Sequence, residues 1–280
     1  MDLGVHLPLL AFAGEPLSAE RVGDVAETAR ECGFAALAAN DHLVFQRPWL
    51  DGPTALASVI ERSGSMTLAT TASLAVVRGP VAVAKALAAT DLLSGGRLIA
   101  AIGAGSSRHD YEAVGIPFEE RWARYDEALK ALRALLEGTG IPLWVASWGS
   151  KAGLRRVAAA GDGWLASAYN TTPERFAAGL TQLGDVPNAL ATMWTWVTDD
   201  RASAERMLRD VLAPMLGREP EVLRATTCIG SPEHCAELLS RYAQAGCRRV
   251  YLWPLGDERR QVERIAAAYP PSPDPPIIHD

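Results

Sequence analysis

The sequence contains few of the residues that build metal cages and disulfide frameworks. Among 280 residues there are five histidines and four cysteines. The histidines are dispersed, and the spacing of the cysteines matches no zinc or redox motif. We therefore expect no metal site, and cysteines that act as small apolar side chains. The cysteines are Cys32, Cys228, Cys235 and Cys247.

An excess of positive charge is also missing. The formal net charge is −6, and the basic residues are scattered along the chain, which argues against a nucleic-acid partner. No basic segment followed by an apolar stretch opens the sequence, and no apolar run is long enough to cross a bilayer. We therefore expect a cytoplasmic, reduced, soluble protein with no membrane partner.

The dominant pattern is an alternation of strand-like and helix-like segments. Several strand-like segments are nearly continuous apolar runs, as in parallel sheets that are buried on both faces. The segments between them are typical of helices, and the first, residues 18–32, begins with a serine cap. The predicted strands are 3–10, 34–41, 66–77, 97–105, 141–149, 163–169, 188–199 and 247–255.

Eight such βα units in a chain of this length favour an α/β fold of the TIM (β/α)8 barrel type over a doubly wound open sheet. We expect a single domain over residues 1–269. Helical segments at 203–216 and 231–246 predict an insertion before the last strand. Residues 270–280 are rich in proline and predict an extended tail, or an arm on a neighbouring subunit.

Polar residues stand where the first three strands end, which in such barrels is the catalytic end. His6 lies on the first strand, the pair Asp41-His42 ends the second, and residues 70–73 (TTAS) end the third. A helix cap in a turn is the simpler explanation for Asp41-His42. A cofactor or catalytic site is the alternative that its position favours.

Two glycine-containing turns are further candidates. In IGAGSS, residues 102–107, the glycines would let the backbone approach a ligand, although a third glycine of the dinucleotide fingerprint is missing. In WGSKAG, residues 148–153, the start of a helix could bind an anion. The alternatives are a tight turn in the first and a serine cap in the second.

Hydrolase chemistry finds no support in these segments. No serine stands in a G-x-S-x-G elbow, and no carboxylate pair suits a glycosidase. The remaining strand ends are rich in hydroxyl, glycine and aromatic residues. That composition suits a large planar cofactor with a phosphate tail.

Several motifs together resemble the bacterial luciferase-like family of flavin- and coenzyme F420-dependent oxidoreductases. The resemblance is strongest between residues 33 and 137 and implies a TIM barrel that moves a hydride to or from a flavin or deazaflavin. The motifs are GFAALAANDHL (33–43), MTLATTASLAVVRGPVAVAKALAATDLLSGGRLIAAIGAG (66–105), YEAVGIPFEERWARYDEALKALRALLEG (111–138) and LRRVAAAGDGW (154–164).

The resemblance also implies roles for individual residues. Asp41 would contact the deazaflavin, and His42, with help from His6, would exchange a proton as the catalytic residue. A non-proline cis peptide at Thr71-Ala72 would back the central cofactor ring. The expected cofactor-binding residues are Asp41, His42, Thr70, Thr71, Ala72, Gly103, Ala104, Gly105, Ser106, Trp148, Gly149 and Ser150, with His6 and Trp194 in the substrate pocket.

Two departures from the family pattern narrow the choice of substrate class and of cofactor. Sugar-phosphate dehydrogenase members carry a glutamate where this chain has Ser106, which disfavours that substrate class. Luciferase-type members carry an arginine where this chain has Ala104, which favours F420 over FMN, although Ser150, Lys151 or Arg155 could hold either phosphate.

The resulting hypothesis is an F420-dependent oxidoreductase acting on a ketone, imine or conjugated alkene. An FMN-dependent monooxygenase that uses reduced flavin and oxygen is the alternative. A non-catalytic binding protein is the third possibility. The family resemblance also implies a homodimer.

Overall fold

The computed structural model describes residues 1–12 and 16–271 and contains a closed parallel barrel. Its strands are hydrogen-bonded in the order β1-β2-β3-β4-β5-β6-β7-β9, and β9 pairs back to β1. The predicted TIM barrel is therefore confirmed. The strands are β1 Asp2–His6, β2 Ala36–Ala39, β3 Thr67–Ser73, β4 Leu98–Ile102, β5 Leu143–Ala146, β6 Gly163–Ser167, β7 Asn188–Val197, β8 Cys228–Gly230 and β9 Arg249–Pro254.

Helices surround the barrel and begin mostly at residues suited to capping. The predicted serine cap of the first helix is confirmed, since Ser18 Oγ accepts a hydrogen bond from the Arg21 amide at 3.1 Å. The helices are α1 Ala19–Glu31, α2 Gly52–Ser58, α3 Ala75–Arg78, α4 Pro80–Ser94, α5 Arg108–Ala113, α6 Arg121–Leu135, α7 Lys151–Ala160, α8 Pro173–Leu183, α9 Arg201–Arg206, α10 Ala213–Leu216, α11 Pro220–Thr226, α12 Pro232–Gln244 and α13 Glu258–Ala268.

The third strand is shorter than the sequence predicts. The predicted range 66–77 ends as a strand at Ser73, and the apolar residues after it form the short helix α3. A buried apolar run has no clear period, so it does not distinguish a strand from a buried helix. The short helix α5 was likewise not predicted.

The insertion before the last barrel strand is confirmed. It contains α9, a π-helical turn at Met207–Leu212, α10, α11 and α12. It also contains the short strand β8, which pairs with the end of β7 and was not predicted. Most of the predicted proline-rich tail, residues 272–280, lies outside the described residues. Within residues 1–12 and 16–271, no helix combines the length and apolar character needed to cross a membrane.

The barrel interior is filled mainly by small side chains. One buried cluster consists entirely of strand residues, and six of its ten members are alanine. Trp144 and Tyr251 supply most of the remaining bulk. A Cβ atom on Gly4 would lie 2.6 Å from the Tyr251 ring, so a glycine at this position makes room for the tyrosine. The cluster is Ala36, Ala38, Ala69, Ile99, Ala101, Trp144, Leu165, Ala189, Ala191 and Tyr251.

Candidate active site

His42, just after β2, is held by a buried carboxylate from α5. Its Nδ1 donates to Asp110 Oδ2 at 2.8 Å, and Asp110 Oδ1 accepts from the Leu43 and Val44 amides at 2.8 Å each. Burial raises the pKa of Asp110, but the bonds from His42 and the two amides outweigh it and lower the pKa below its usual value. Because an ionised carboxylate only accepts, the Nδ1 of His42 carries a proton and its Nε2 remains available for chemistry.

Asp110 has no distinctive signal in the sequence. It stands three residues after Ser107, whose hydroxyl caps α5 by accepting from the Asp110 amide at 3.4 Å. A serine followed three residues later by an acid is an ordinary helix start. Only the fold shows that this carboxylate turns away from its own helix and toward the loop after β2.

Two aromatic side chains surround the His42 ring. Its centroid lies 5.1 Å from that of Phe45 and 4.8 Å from that of Trp49, and the Trp49 ring is nearly perpendicular. The His42 side chain is 19% exposed. The imidazole is therefore fixed in position and still accessible at the barrel mouth.

Asp41 forms an internal ion pair with Arg78, at the end of α3. Arg78 Nη2 donates to Asp41 Oδ1 at 2.6 Å, and its Nε bonds to Oδ2. Arg78 also bonds to Asp51, the residue that caps α2. Burial raises the pKa of Asp41, and the guanidinium opposes that rise. This pair joins the end of β2 to the segment after β3, and the cofactor contact expected of Asp41 remains a prediction.

His6 has no ring nitrogen left for proton transfer. Its Nδ1 donates to the Leu7 carbonyl at 2.8 Å, and its Nε2 accepts from the Asn40 amide at 3.0 Å. Burial lowers the pKa of His6 to about 3, against a smaller opposing effect of the Leu7 bond. The expectation that His6 assists His42 is therefore corrected. His6 instead fixes the backbone at Asn40, two residues before His42.

The end of β3 carries the predicted cis peptide. The Thr71-Ala72 bond is cis, and the register between β3 and β4 shifts between Thr71 and Ser73. The Thr70 hydroxyl donates to the Ala101 carbonyl at 2.8 Å, so it is used within the barrel. The hydroxyls of Thr71 and Ser73 are buried without a partner among the described residues. Unpartnered buried hydroxyls are uncommon and are available to a ligand.

Small residues from three neighbouring strands meet beside this bulge. A Cβ on Gly103 would lie 3.3 Å from the Ala72 Cβ and 3.7 Å from the Ala146 Cβ. Ala72 and Ala146 are themselves partly exposed. A flat ring could therefore approach the backbone here, and we name Ala72, Gly103 and Ala146 the small-residue edge.

The other residues of the fourth-strand turn have different surroundings. Gly105 adopts φ 81°, a conformation that favours glycine. The Ala104 side chain is buried, and the Ala104 carbonyl accepts a bond from the Tyr111 hydroxyl. Ser106 is exposed. The cofactor-binding roles of all three remain predictions.

The turn after β5 contains the serine cap that was the simpler explanation of residues 148–153. Ser150 caps α7 by accepting from the Gly153 amide at 3.1 Å. Gly149 has φ 81°, and Trp148 is 51% exposed. A Cβ on Gly153 would lie 2.1 Å from Ser147 Oγ, so this glycine lets α7 start close to the barrel mouth. An anion site at these residues remains a prediction.

Two arginines beside this turn have no distinctive sequence signal. Arg218 Nη2 donates to Asn170 Oδ1 at 2.9 Å, and Arg175 Nη1 donates to the Asn170 carbonyl at 3.4 Å. Thr171 links the same loop to the turn through a 3.2 Å bond to the Trp148 carbonyl. Among the described residues neither guanidinium has a carboxylate partner, so both can attract an anion.

Trp194 belongs to an aromatic stack built on the strands β7, β9 and β1. Its ring lies parallel to that of Trp253 at 4.1 Å between centroids, and Trp253 stacks on His6 at 3.5 Å. Trp194 is buried. The barrel thus brings this stack to the end that holds His42 and the bulge, while the substrate-pocket roles of His6 and Trp194 remain predictions.

A family model described as luciferase-like monooxygenase matches residues 2–217. This range includes His42, the β3 bulge, Asp110 and the turn after β5. The chain belongs to the luciferase-like monooxygenase family. The sequence resemblance is therefore confirmed.

Two curated relatives of this luciferase-like chain match it over part of its length. A 5,10-methylenetetrahydromethanopterin reductase from Archaeoglobus fulgidus is 29% identical over 174 residues, 51% of this chain and 52% of the relative. An F420-dependent glucose-6-phosphate dehydrogenase from Amycolatopsis mediterranei is 32% identical over 138 residues, 44% of this chain and 40% of the relative. The chain thus spans about half or less of the length of these relatives.

A solved structure matches the luciferase-like fold over nearly its whole length. Monooxygenase RslO1 from Streptomyces bottropensis has a TM-score of 0.77 and 19% sequence identity. The match covers 96% of this chain and 98% of that one. At this identity the likeness shows the shared barrel fold.

Proposed function

We propose that this protein is a coenzyme F420-dependent oxidoreductase that transfers a hydride between the deazaflavin and a small organic substrate. The observation that carries the proposal is the His42–Asp110 pair beside the small-residue edge. It combines a histidine of defined tautomer with a surface on which a planar ring can lie. Ketones, imines and conjugated alkenes are the substrate classes we expect.

The residues at the barrel mouth fit such a cofactor. Ala72, Gly103 and Ala146 would present only hydrogen atoms and methyl groups to a flat ring, and the hydroxyls of Thr71 and Ser73, without a partner among the described residues, can bond to its polar atoms. The cofactor's phosphate is an anion. The N-terminus of α7 and the guanidiniums of Arg175 and Arg218 suit its negative charge.

Bound reduced F420 would supply a hydride, which is a proton together with two electrons, to the carbon of a C=O group. The oxygen of that group then needs one proton to become a hydroxyl. His42 in its doubly protonated form donates this proton from Nε2, while its Nδ1 keeps its own proton and donates it in the hydrogen bond to Asp110. It recovers the Nε2 proton from water, and in the reverse direction it accepts the hydroxyl proton.

Two features support F420 over FMN in this proposal. One curated relative is named as F420-dependent, and Ala104 stands where luciferase-type members carry an arginine. Ser106 is exposed and stands where sugar-phosphate dehydrogenase members carry a glutamate, which argues against a sugar-phosphate substrate.

An FMN-dependent monooxygenase is the second candidate. It is favoured by the name of RslO1, whose fold this chain shares. The cationic groups near the turn after β5 would suit the terminal phosphate of FMN equally well. The two functions differ in the cofactor that binds.

Parallel calorimetric titrations with F420 and with FMN test the proposal. We expect F420 to bind at least tenfold more tightly, and binding of FMN alone would contradict the proposal. The His42→Ala variant should bind F420 as the wild type does but lose roughly 100-fold or more in turnover of a ketone panel. His109→Ala, which alters an exposed histidine, is the matched control.

The homodimer that the resemblance implies remains a proposal with a surface to support it. On α4, the side chains of Val81, Leu92 and Leu93 are exposed by 67%, 81% and 68%. Large apolar side chains exposed together commonly mark an interaction surface. Sedimentation of the wild type and of Leu92→Glu should show a dimer and a monomer, respectively. A monomeric wild type would contradict the proposal.

A further inference from the structure

A cavity of about 1000 Å³ lies among the elements of the insertion. Its walls come from the loop after β7, α9, the π-helical turn, α11, β8 and the start of α12. Among the described residues that line it, none belongs to the candidate active site. A cavity of this size can hold a small organic molecule, and π-helical turns, which are rare, occur frequently at functional sites. We name it the insertion cavity, and its polar lining includes Asp199, Arg201, Glu205, Arg209, Arg224 and His234.

Two arginines of the insertion cavity are held in place by carboxylates. Glu205 accepts from Arg209 Nε and, at 2.7 Å, from Arg224 Nη2. Glu221 accepts from Arg209 Nη2 at 3.3 Å and lies 3.8 Å from Arg224 Nη1. A guanidinium has five N–H groups, so these bonds leave donors of both arginines unused. The carboxylates therefore fix the two guanidiniums without exhausting their donors.

Two other nitrogen-bearing side chains of the cavity have no partner. The Nε2 of His234, in the first turn of α12, is buried and forms no hydrogen bond among the described residues. Its ring is packed against Gly230, where a Cβ would lie 3.3 Å from His234 Cδ2. Arg201, exposed at the start of α9, has no carboxylate partner in the described part of the chain. A buried nitrogen without a partner is uncommon and is available to a ligand.

Hydrogen-bond donors outnumber free acceptors in the insertion cavity. Its lining carries three arginines but only two acids, Asp199 and Glu205. Glu205 is already bonded to two guanidiniums, and Asp199 is exposed to solvent. A ligand that brings several acceptor oxygens gains most here, because charge-assisted bonds from guanidinium groups are strong. The buried side chains of Leu208 and Ile229 add an apolar wall for the rest of such a ligand.

We propose that the insertion cavity binds a small organic oxyanion, a carboxylate or a phosphate, whose oxygens accept hydrogen bonds from the arginines and from His234 Nε2. The apolar body of the ligand packs against Leu208 and Ile229. This site goes beyond the proposed function and does not depend on it, because the residues at the barrel mouth take no part in it.

Calorimetry with benzoate, phenyl phosphate and benzamide tests this proposal. The three compounds share a phenyl ring, and only benzamide is uncharged. We expect benzoate or phenyl phosphate to bind about tenfold or more tightly than benzamide, and the tighter of the two identifies the anionic group. Arg201→Met and His234→Phe should each weaken binding of that anion by about fivefold or more. Arg62→Met, which removes an arginine from a surface pair, should change it less than about twofold.

Nitrogen NMR of labelled histidine locates the bound anion. The ring signals of His234 are those that disappear in His234→Phe. They should shift when the protein is saturated with the tighter anion, while the signals of His42 should not. Addition of the anion should therefore report on the insertion cavity and not on the barrel mouth.

Several results would overturn this site. They are equal affinity for the three compounds, unchanged affinity in Arg201→Met, and a shift of the His42 signals in place of those of His234. Loss of binding in Arg218→Met would overturn it as well, because Arg218 belongs to the anion site proposed beside the turn after β5. Thermal melting establishes that each variant is folded, and the exposed Arg201 gives a variant that does not disturb the core. If the anion binds as expected but F420 does not, the proposed function fails and the insertion cavity stands.

Discussion

His42 and Asp110 lie 68 positions apart in sequence, and a 2.8 Å hydrogen bond joins His42 Nδ1 to Asp110 Oδ2. The same carboxylate accepts two amides of the loop that follows His42. Asp110 thus orients both the ring and its backbone. We regard it as a positioning residue for the proton transfer that we propose for His42.

Replacing Asp110 by asparagine should impair catalysis more than binding. A hydrogen bond to a charged group contributes roughly 1.5–3 kcal/mol, which predicts a loss of about 10–100-fold in kcat. The affinity for F420 should change less than threefold. In nitrogen NMR spectra of labelled histidine, the single Nδ1–H tautomer of His42 should give way to a mixture.

A control for this variant is Asp126→Asn. Asp126 is bonded to Arg156 at 2.6 Å on the outside of α6, away from His42. It should retain wild-type kcat and the wild-type histidine spectrum. A normal kcat together with an unchanged His42 tautomer in Asp110→Asn would show that Asp110 does not position the ring.

His6 should make stability fall in mild acid. Its pKa is about 3 in the folded protein and 6.5 for an ordinary histidine, so the unfolded chain takes up a proton that the folded chain refuses. The free energy of unfolding contributed by His6 is fully present above pH 6.5 and is lost as pH falls toward 3. The slope is at most about 1.4 kcal/mol per pH unit.

Denaturant titrations of the wild type and His6→Asn between pH 7 and 4 measure this effect. The variant should be less stable at pH 7, because it loses the stacking on Trp253, but its stability should fall less steeply. His109→Asn should reproduce the wild-type slope. Parallel curves for the wild type and His6→Asn would contradict a neutral buried His6.

Removing one partner of the Asp41–Arg78 pair should lower the free energy of unfolding strongly. Arg78→Met leaves a buried carboxylate without its cation, which should lower the free energy of unfolding by about 3–5 kcal/mol. In the double variant Asp41→Asn/Arg78→Met, the loss should be smaller than the sum of the two single losses. Chemical denaturation measures all four members of the cycle.

The matched control uses a surface pair. Arg62 lies 2.9 Å from Asp24, with both side chains more than a third exposed. Arg62→Met should therefore cost at most about 1 kcal/mol. Equal losses in Arg78→Met and Arg62→Met would refute the buried-pair interpretation.

Side-chain volume at Gly103 should control cofactor affinity. A Cβ at this position would be only 3.3 Å from the Ala72 Cβ and 3.7 Å from the Ala146 Cβ, so a valine would crowd the small-residue edge. We expect Gly103→Val to weaken F420 binding about 10–100-fold, the equivalent of roughly 1.4–2.8 kcal/mol, with Gly103→Ala between it and the wild type.

Calorimetry measures the affinities, and thermal melting establishes that both variants fold. Ala158→Val, at an exposed position of α7, is a control outside the small-residue edge. Undiminished F420 affinity in a folded Gly103→Val would place the ring elsewhere.

Much of the architecture is predictable from local patterns. The eight barrel strands and the insertion agree with the structure, and so does the cis peptide at Thr71-Ala72 that the family resemblance implied. The end of β3 and the presence of β8 were not predicted. A short apolar run is compatible with a strand or with a helix, and a strand of three residues is too short to show a periodic pattern. The position of Asp41-His42 at the barrel mouth follows directly from its place at the end of β2.

The partners of the polar residues at the mouth were not predictable in the same way. Asp110 reads as part of a helix start, Arg78 follows an apolar run, and His6 is a histidine on a buried strand. The role of each residue depends on a partner that is distant in sequence. Their partners are His42, Asp41 and the Asn40 amide.

Local sequence patterns set the alternation of buried strands and helices, and hence the end of the barrel where chemistry can occur, because these features depend on residues close together in the chain. Which polar side chains find hydrogen-bond partners depends instead on how distant segments come together in the fold. Closure of the barrel places Asp110 on His42 and occupies both nitrogens of His6, while the Nε1 atoms of Trp49, Trp194 and Trp253 have no partner among the described residues. Hydrogen bonds depend on distances of a few ångströms between remote residues, and no local pattern of sequence encodes them.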